Sequence, residues 1–340
     1  MNRSAITKTE VAKLAGVSHM TVSRVLNNFP YVTSATRKKV RSACRKLKYR
    51  PNLIAASLRS KKSRAIGVIV PNFRHPFYAR FLDAVEDACH SAGYHIIVIQ
   101  GKCHDHQSRI TWQDFEFLLA RQIEGLLIDL PLNKTIYSRL KKEKVPTIFV
   151  DLPPKDNRFS FIGTADFDGA REMTRHLIKL GHRKIAFLAG PEEAYTSQER
   201  LAGYKTALLN ARINYNSELV LHTNYETDGG YEATKKLLSS RITFTAIFSA
   251  NDPIAIGVLA ALQKKSIQVP GKISVAGFTG DEIGAYTHPP LTTMVQPIEE
   301  IGRKAVEGLL VRIANPKKPV EKILLPATLL ERSSAGPLNL

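Results

Sequence analysis

Residues 18–27, Ser18-His19-Met20-Thr21-Val22-Ser23-Arg24-Val25-Leu26-Asn27, decide how the rest of the chain is read. At about 100° per residue, Val22, Val25 and Leu26 share one side of a helix, and His19, Met20, Ser23 and Arg24 gather on the opposed side. That second face is polar and cationic and has no apolar partner of its own. Just upstream, Thr7-Lys8-Thr9-Glu10 is a T-x-x-E capping box. It predicts a short helix with Val11, Leu14 and Ala15 inward. Gly16 ends that helix and Ser18 caps the next. Two short capped helices joined by a tight turn containing Gly form the helix-turn-helix pattern, whose second helix enters the DNA major groove.

Downstream, Asn27-Asn28-Phe29-Pro30 reads as a turn. Thr33 or Ser34 then caps a third helix in which Val40, Ala43, Cys44 and Leu47 recur at helical spacing and close a small core, with Tyr49-Arg50-Pro51 as the stop. Charge supports the same use. The 340 residues carry a net +19, and residues 1–64 alone hold 16 Lys/Arg against the single acidic residue Glu10. A patch of this kind releases counterions from a phosphate backbone. Residues 51–63 follow as a linker in which Asn52 caps about two helical turns through Leu58, too short to stand alone in water. Such a segment folds when a partner and DNA are present.

From Ala65 the texture changes to short apolar runs alternating with amphipathic helices. The runs are 65–70, 95–99, 125–130, 146–150, 184–189, 245–250 and 273–278. Near-continuous apolar strands separated by helices predict parallel sheets covered on both faces, and a faint internal echo suggests two similar doubly wound halves. Three cysteines, Cys44, Cys89 and Cys103, without a C-x-x-C, argue against a disulfide framework and suit a reducing compartment. No apolar run reaches membrane-spanning length and no signal peptide is evident, so a cytoplasmic, non-membrane protein is expected.

Ligands of open parallel sheets bind beyond the carboxyl ends of the strands. Polar residues there are Asn72, Arg74, Asp151, Arg200, Asn251, Asp252, Thr279 and Asp281, with Phe73, Phe77 or Phe161 as an aromatic floor. Arg200 can clamp a carboxylate, phosphate or diol, and Asn251 or Asp252 can hold hydroxyls. Asp168 reads as a helix cap and His182 as a turn or cap residue. Cys103, His104, Asp105 and His106 lack further ligands at matching spacing, so a loop is preferred to a metal site. There is no G-x-S-x-G, H-E-x-x-H, Walker A or early G-x-G-x-x-G motif. An enzyme is not indicated, and no cofactor or metal is called for.

The stretch ITKTEVAKLAGVSHMTVSRVLNN, followed by VTSATRKKV, LKYRPN and SLRSKKSRAIGVIVPN, resembles the lactose/galactose-repressor family of bacterial transcription regulators. The likeness continues through LGHRKIAFLAGP, ERLAGY, SANDPIAIGVL, ISVAGF and PPLTTM, essentially the whole chain. It implies a helix-turn-helix headpiece (1–50), a hinge (51–63) and a two-lobed core (64–340) like a periplasmic binding protein. The lobes would comprise about 64–163 with 295–323, and about 164–294 with 324–340. It further implies a dimer or tetramer on a pseudo-palindromic operator, controlled by a sugar or sugar acid in the cleft. Carried over by position, His19, Met20 and Arg24 read bases, and Thr7, Thr21, Ser23, Asn27 and Thr33 hold phosphates. Asn52 and Leu58 belong to the hinge, with Leu58 wedged into the minor groove. Asp151, Arg200 and Asn251 match effector-contacting positions, and the strand-end reading adds Asn72, Phe77 and Thr279 to them.

Three departures matter. Ala56 stands where many members carry Arg or Gln. Met20 offers apolar contact to a thymine methyl instead of bidentate readout. The usual G-F-D-D is here Gly277-Phe278-Thr279-Gly280, a variant similar to the gluconate-regulator branch. Loss of an acidic group there would ease binding of an anion beside Arg200. A solute-binding protein with a basic extension, or a sugar-acting enzyme, is the competing expectation.

Overall fold

The structure, a computed structural model, describes residues 6–26, 29–49, 63–101, 103–104, 107–108 and 110–338. It separates into two compact units, Met1–Ser63 and Arg64–Leu340. Asn27 and the hinge positions Asn52, Ala56 and Leu58 lie outside the described residues.

In the first unit α1 (Lys8–Ala15) opens on the predicted box. The Thr7 amide donates to Glu10 Oε2 at 2.6 Å and the Glu10 amide donates back to Thr7 Oγ1 at 3.4 Å. Gly16, at φ 64°, turns the chain left-handed, which lets the Val17 amide reach Ala12 O at 3.1 Å. Helix α2 (His19–Leu26) starts where Ser18 Oγ accepts from the Thr21 amide at 3.1 Å. Helix α3 (Ser34–Lys46) is capped by Thr33. Val11, Ala12, Ala15, Val22, Val25, Val40 and Ala43 form the core between them.

Two details correct the expectation. Leu14 is 49% exposed, and Ala12 takes the inward place. The buried stripe of α1 is centred between residues 11, 12 and 15, about 110° from residue 14. Helix α3 also stops before the proline signal. Lys48 adopts φ 51°, and the Lys48 and Tyr49 amides return to Arg45 O and Cys44 O at 3.1 and 2.9 Å. This is the closure glycine normally makes, built here on a lysine.

The second unit alternates strand and helix. In chain order it contains β1 (Ala65–Val70), α4 (Pro76–Ser91), β2 (His95–Gln100), the hairpin β3 (Cys103–His104) and β4 (Gln107–Ser108), and α5 (Trp112–Ala120). Next come β5 (Gly125–Ile128), α6 (Lys134–Glu143), β6 (Thr147–Val150) and β7 (Ser160–Thr164). A second run has α7 (Asp166–Lys179), β8 (Ile185–Ala189), α8 (Tyr195–Asn210), β9 (Val220–His222), α9 (Thr227–Ser239), β10 (Ala246–Ser249) and α10 (Asp252–Lys264). The chain closes with β11 (Ser274–Thr279), β12 (Thr292–Val295), α11 (Ile298–Ala314), β13 (Lys322–Leu325) and β14 (Thr328–Leu330).

Two six-stranded sheets result, ordered β13-β7-β6-β5-β1-β2 and β14-β12-β11-β10-β8-β9. Both are parallel except for β14, which runs antiparallel to β12. Strand order reverses between β1 and β5 in one sheet and between β8 and β10 in the other, the two places where crevices open. The chain passes between lobes near 165, 296 and 326, and the passages are stitched together. Gln296 Nε2 donates to Thr164 Oγ1 at 2.7 Å, and the Ala165 amide donates to Leu325 O at 2.8 Å.

All seven apolar runs contain strands, but β7, β9, β12, β13 and β14 are not expected from the sequence, nor is the hairpin β3–β4, which stands at Cys103–His104 where a loop is expected. SFIGT and TTMV carry Thr, Ser or Gly where the buried-strand pattern wants aliphatics, and β9 spans only three residues. Edge strand β2 is only half-buried along His95–Gln100, so it is not covered on both faces as expected. Asp168 is not a cap: α7 begins two residues earlier, and Asp168 is an exposed first-turn residue paired with Arg171 at 2.7 Å. His182 does lie in a turn, but its ring is a buried core hub. Nδ1 meets Thr245 Oγ1 at 2.9 Å, and Nε2 meets Ser274 Oγ and Gly336 O at 3.0 and 3.1 Å.

Candidate ligand cleft and nucleic-acid interface

The carboxyl ends of β1, β5, β6, β8, β10 and β11 open onto one cleft of about 1090 Å³ between the lobes. Asn72, Phe77, Asp151, Arg200, Asn251 and Thr279 all line it, as do Phe73 and Arg74. Asp252, Asp281 and Phe161 do not. Phe161 packs in the core beneath β6 with Phe149. Asp252 is turned inward, accepting from Thr293 Oγ1 at 2.6 Å and from the Asp281 amide at 2.7 Å. Asp281 is 2% exposed, and neither carboxylate oxygen has a partner among the described residues. Burial, with the Asp252 charge added, pushes its carboxyl up to about 7.

Arg200 lies in α8, 4% exposed, and is not a free clamp. Its Nε donates to Asp166 Oδ1 at 2.8 Å and its Nη1 to Ala250 O at 2.6 Å, with the guanidinium carbon 4.1 Å from the Phe278 ring centre. Only Nη2 is left without a partner among the described residues. Asp166 and Asp151 act on this one cation, and a third carboxyl group, Asp129, lies beside Asp151. Asp151, at the end of β6, sits at φ 51°, and burial together with the Asp166 charge raises its carboxyl to about 7. Asp129, just past β5, is pushed well above the carboxylate range by burial and by Asp151. Oδ2 of Asp129 and Oδ2 of Asp166 are buried with no partner among the described residues. Buried acceptors of this kind await donors.

Thr279, a β-branched residue at φ 137°, is 1% exposed beside the cleft. With Asp151 and Tyr225, the latter at φ 66°, it makes three left-handed non-glycine residues at one site, where backbone strain tends to gather. Cross-lobe contacts rim the opening. Asn72 Nδ2 donates to Glu226 Oε1 at 3.4 Å, and Arg80 Nη1 donates to Gly280 O at 3.2 Å while its Nε holds Glu299 at 2.9 Å.

Sequence reasoning missed His75, Tyr78, Asp129, Tyr225 and Gln296 in the lining. His75, Tyr78 and Asp129 follow β1 and β5, so the strand-end rule already pointed to them. Tyr225 and Gln296 follow β9 and β12, strands too short or too polar to be recognised.

In the headpiece, Met20 is 61% exposed, and His19 and Arg24 are exposed beside it, over a face backed by buried Val22 and Val25. Thr21 and Ser23 are half-buried, and Thr7 and Thr33 stand at helix starts. The Thr7 hydroxyl donates to Glu10 Oε2 at 2.9 Å. Thr33 Oγ1 accepts from the Thr36 amide at 3.3 Å. These threonines therefore build helix N-termini, which favour anions. No group of metal-ligating residues occurs, and no helix is long and apolar enough to cross a membrane, among the described residues.

Known proteins share both parts. Residues 7–52 match the family described as bacterial regulatory proteins, lacI family, and residues 174–335 match a periplasmic binding protein-like domain. The ribose operon repressor of Escherichia coli (strain K12) is 32% identical over 333 residues, covering 97% of this chain and 99% of that protein. A crystal structure of the Lac repressor dimer bound to operator and the anti-inducer ONPF superposes with a TM-score of 0.86 at 29% identity, over 98% of this chain and 100% of that one. A LacI family regulator from Enterococcus faecium with bound ribose gives 0.73 at 28% identity, covering 81% of this chain and 100% of that one. A helix-turn-helix with an exposed cationic face, joined in one chain to a two-lobed ligand cleft and matched along nearly its whole length, makes this chain a member of the lacI family of bacterial regulatory proteins, DNA-binding transcription regulators and not enzymes.

Proposed function

We propose that the chain is an operator-binding repressor whose effector is a neutral sugar held in the core cleft. The observation that carries the ligand class is the excess of carboxyl groups over the one cation, which is already paired. The Arg200 charge is already matched by Asp166, and the carboxyl groups of Asp129 and Asp151, raised well above the carboxylate range and to about 7, add neutral oxygens to the same lining. Sugar hydroxyls donate to such groups without bringing charge. A sugar acid would place its own carboxylate among them, so Thr279 in place of an acidic residue does not make this an anion site. The bound ribose of the Enterococcus faecium regulator makes pentoses the first sugars to try.

On the DNA side, His19, Met20 and Arg24 read bases while Thr7, Thr21, Ser23, Asn27 and Thr33 position phosphates. Asn52 and Leu58 act in the hinge, and two protomers bind the halves of a pseudo-palindrome. Operator and sugar bias one another by the same factor, whichever sign the coupling has.

The test is selection of DNA fragments by the purified protein, followed by operator titration with ribose, other neutral sugars and gluconate. The reading requires that neutral sugars, and not gluconate, shift operator affinity. A response to gluconate alone overturns the ligand class. Asp129→Ala should weaken the sugar response about tenfold, the scale of one buried hydrogen bond, and leave operator affinity in the absence of sugar unchanged.

A further inference from the structure

His75 and Asn251 meet across the cleft, one from each lobe, each capping its own helix. His75 precedes α4, whose first residue, Pro76, has no amide hydrogen. The ring nitrogen Nδ1 accepts from the Phe77 amide at 3.3 Å. Burial, and then the nearby Arg200 charge, lowers the His75 pKa to about 4, so the ring is neutral and carries one hydrogen. With Nδ1 accepting, that hydrogen is on Nε2. Asn251 is equally fixed. Its Oδ1 accepts from the Ile254 amide at 2.9 Å, so its amide nitrogen faces the cleft, donating one hydrogen to Tyr225 O at 2.8 Å. The same nitrogen, with its second hydrogen, lies 3.2 Å from His75 Nε2. Two N–H groups thus confront each other and neither can accept.

An oxygen about 2.9 Å from both nitrogens would take both hydrogens on its two lone pairs. Arg200 Nη2 adds a third donor to the same cleft, and Asp129 in its lining has a buried Oδ2 without a partner among the described residues. The cleft therefore has one set of groups that can only donate, His75, Asn251 and Arg200, beside the carboxyl groups of Asp129 and Asp151. A hydroxyl at the donor pole must still place its own hydrogen. An ether or carbonyl oxygen has none to place.

We propose that His75 and Asn251 form a notch for an acceptor-only oxygen, the ring oxygen of a cyclic sugar, and so make the cleft select ring sugars over the matching open-chain alditols. This rests on the neutral-sugar reading above. The notch places His75 among the specificity-determining residues, and its partner atom on the ligand is the one an alditol lacks.

Calorimetric titration of the full-length protein with matched pairs, ribose against ribitol, xylose against xylitol and glucose against glucitol, tests the notch. The bound sugar should exceed its alditol in affinity by about tenfold or more, the effect of one unmade hydrogen bond among buried donors. His75→Phe, which keeps an aromatic ring and removes the N–H, should bring the pair within about twofold. His75→Asn, which retains a donor and a cap, should keep the preference. Equal affinity for sugar and alditol in the unaltered protein overturns the notch and leaves the neutral-sugar reading standing. A preference unchanged by His75→Phe overturns it as well. Failure of every sugar and every alditol to bind removes the sugar reading and the notch together.

Discussion

Asp281 shows what a single misplaced proton can do. It is nearly fully buried, its oxygens are unpartnered among the described residues, and Asp252 stands behind its amide. Its carboxyl is raised to about 7, above the unfolded value near 3.8. A raised carboxyl binds its proton more tightly when folded. The stability it contributes is therefore complete below the unfolded value and is lost as pH rises through about 7. Asp281→Asn stays neutral throughout. Between pH 6 and 8 the variant should gain about 1 kcal/mol on the parent, read from urea midpoints at the two pH values. Arg200 is a second case, because its buried pairing with Asp166 makes Arg200→Ala a stability lesion of about 3–5 kcal/mol before any effect on ligand. In the headpiece, Arg24→Ala should cost about 1–3 kcal/mol on selected operator fragments and little on random DNA in a mobility-shift titration. Equal losses on both would remove Arg24 from base reading.

Helices α9 and α10 cross on glycine. A Cβ at Gly230 would lie 2.2 Å from Ile254 O, and one at Gly257 would lie 2.1 Å from Thr227 O. Alanine at 257 would gain about 1 kcal/mol of helix propensity, but the clash is with backbone, which cannot swing aside. Gly257→Ala should therefore destabilise the core by at least about 2 kcal/mol in thermal or urea unfolding. Elements differed in how far they could be read beforehand. The capping box at Thr7–Glu10 and the helical spacing of Val22, Val25 and Val40 are local signals, and they gave the headpiece correctly. The turn that closes α3, with Lys48 left-handed, was not legible, because it is built without glycine. Strands β7, β9 and β12 owe their place to neighbours in the sheet, which no local window contains. The same divide runs through the cleft. Its strand-end polar residues were visible, but that Arg200 is bound to Asp166, thirty-four positions away, is a tertiary fact.

At the scale of the molecule, charge and hinge carry separate duties. The first 64 residues hold 16 of the 49 basic side chains and one of the 30 acidic ones. If six to ten of those cations meet phosphates, operator affinity should fall by about 10³–10⁵ between 50 and 200 mM salt, whereas the affinity for a neutral sugar should hardly move. A flat salt profile for DNA would count against the headpiece as the grip. The three passages between the lobes, bonded side by side through Gln296, Thr164, Ala165 and Leu325, have another consequence. Three adjacent pins resist twisting and sliding and leave bending as the soft direction. Whatever occupies the cleft is thereby translated into a single number, the opening angle. Compounds of quite different chemistry will rank along one axis as agonists or antagonists, according to the angle each one holds.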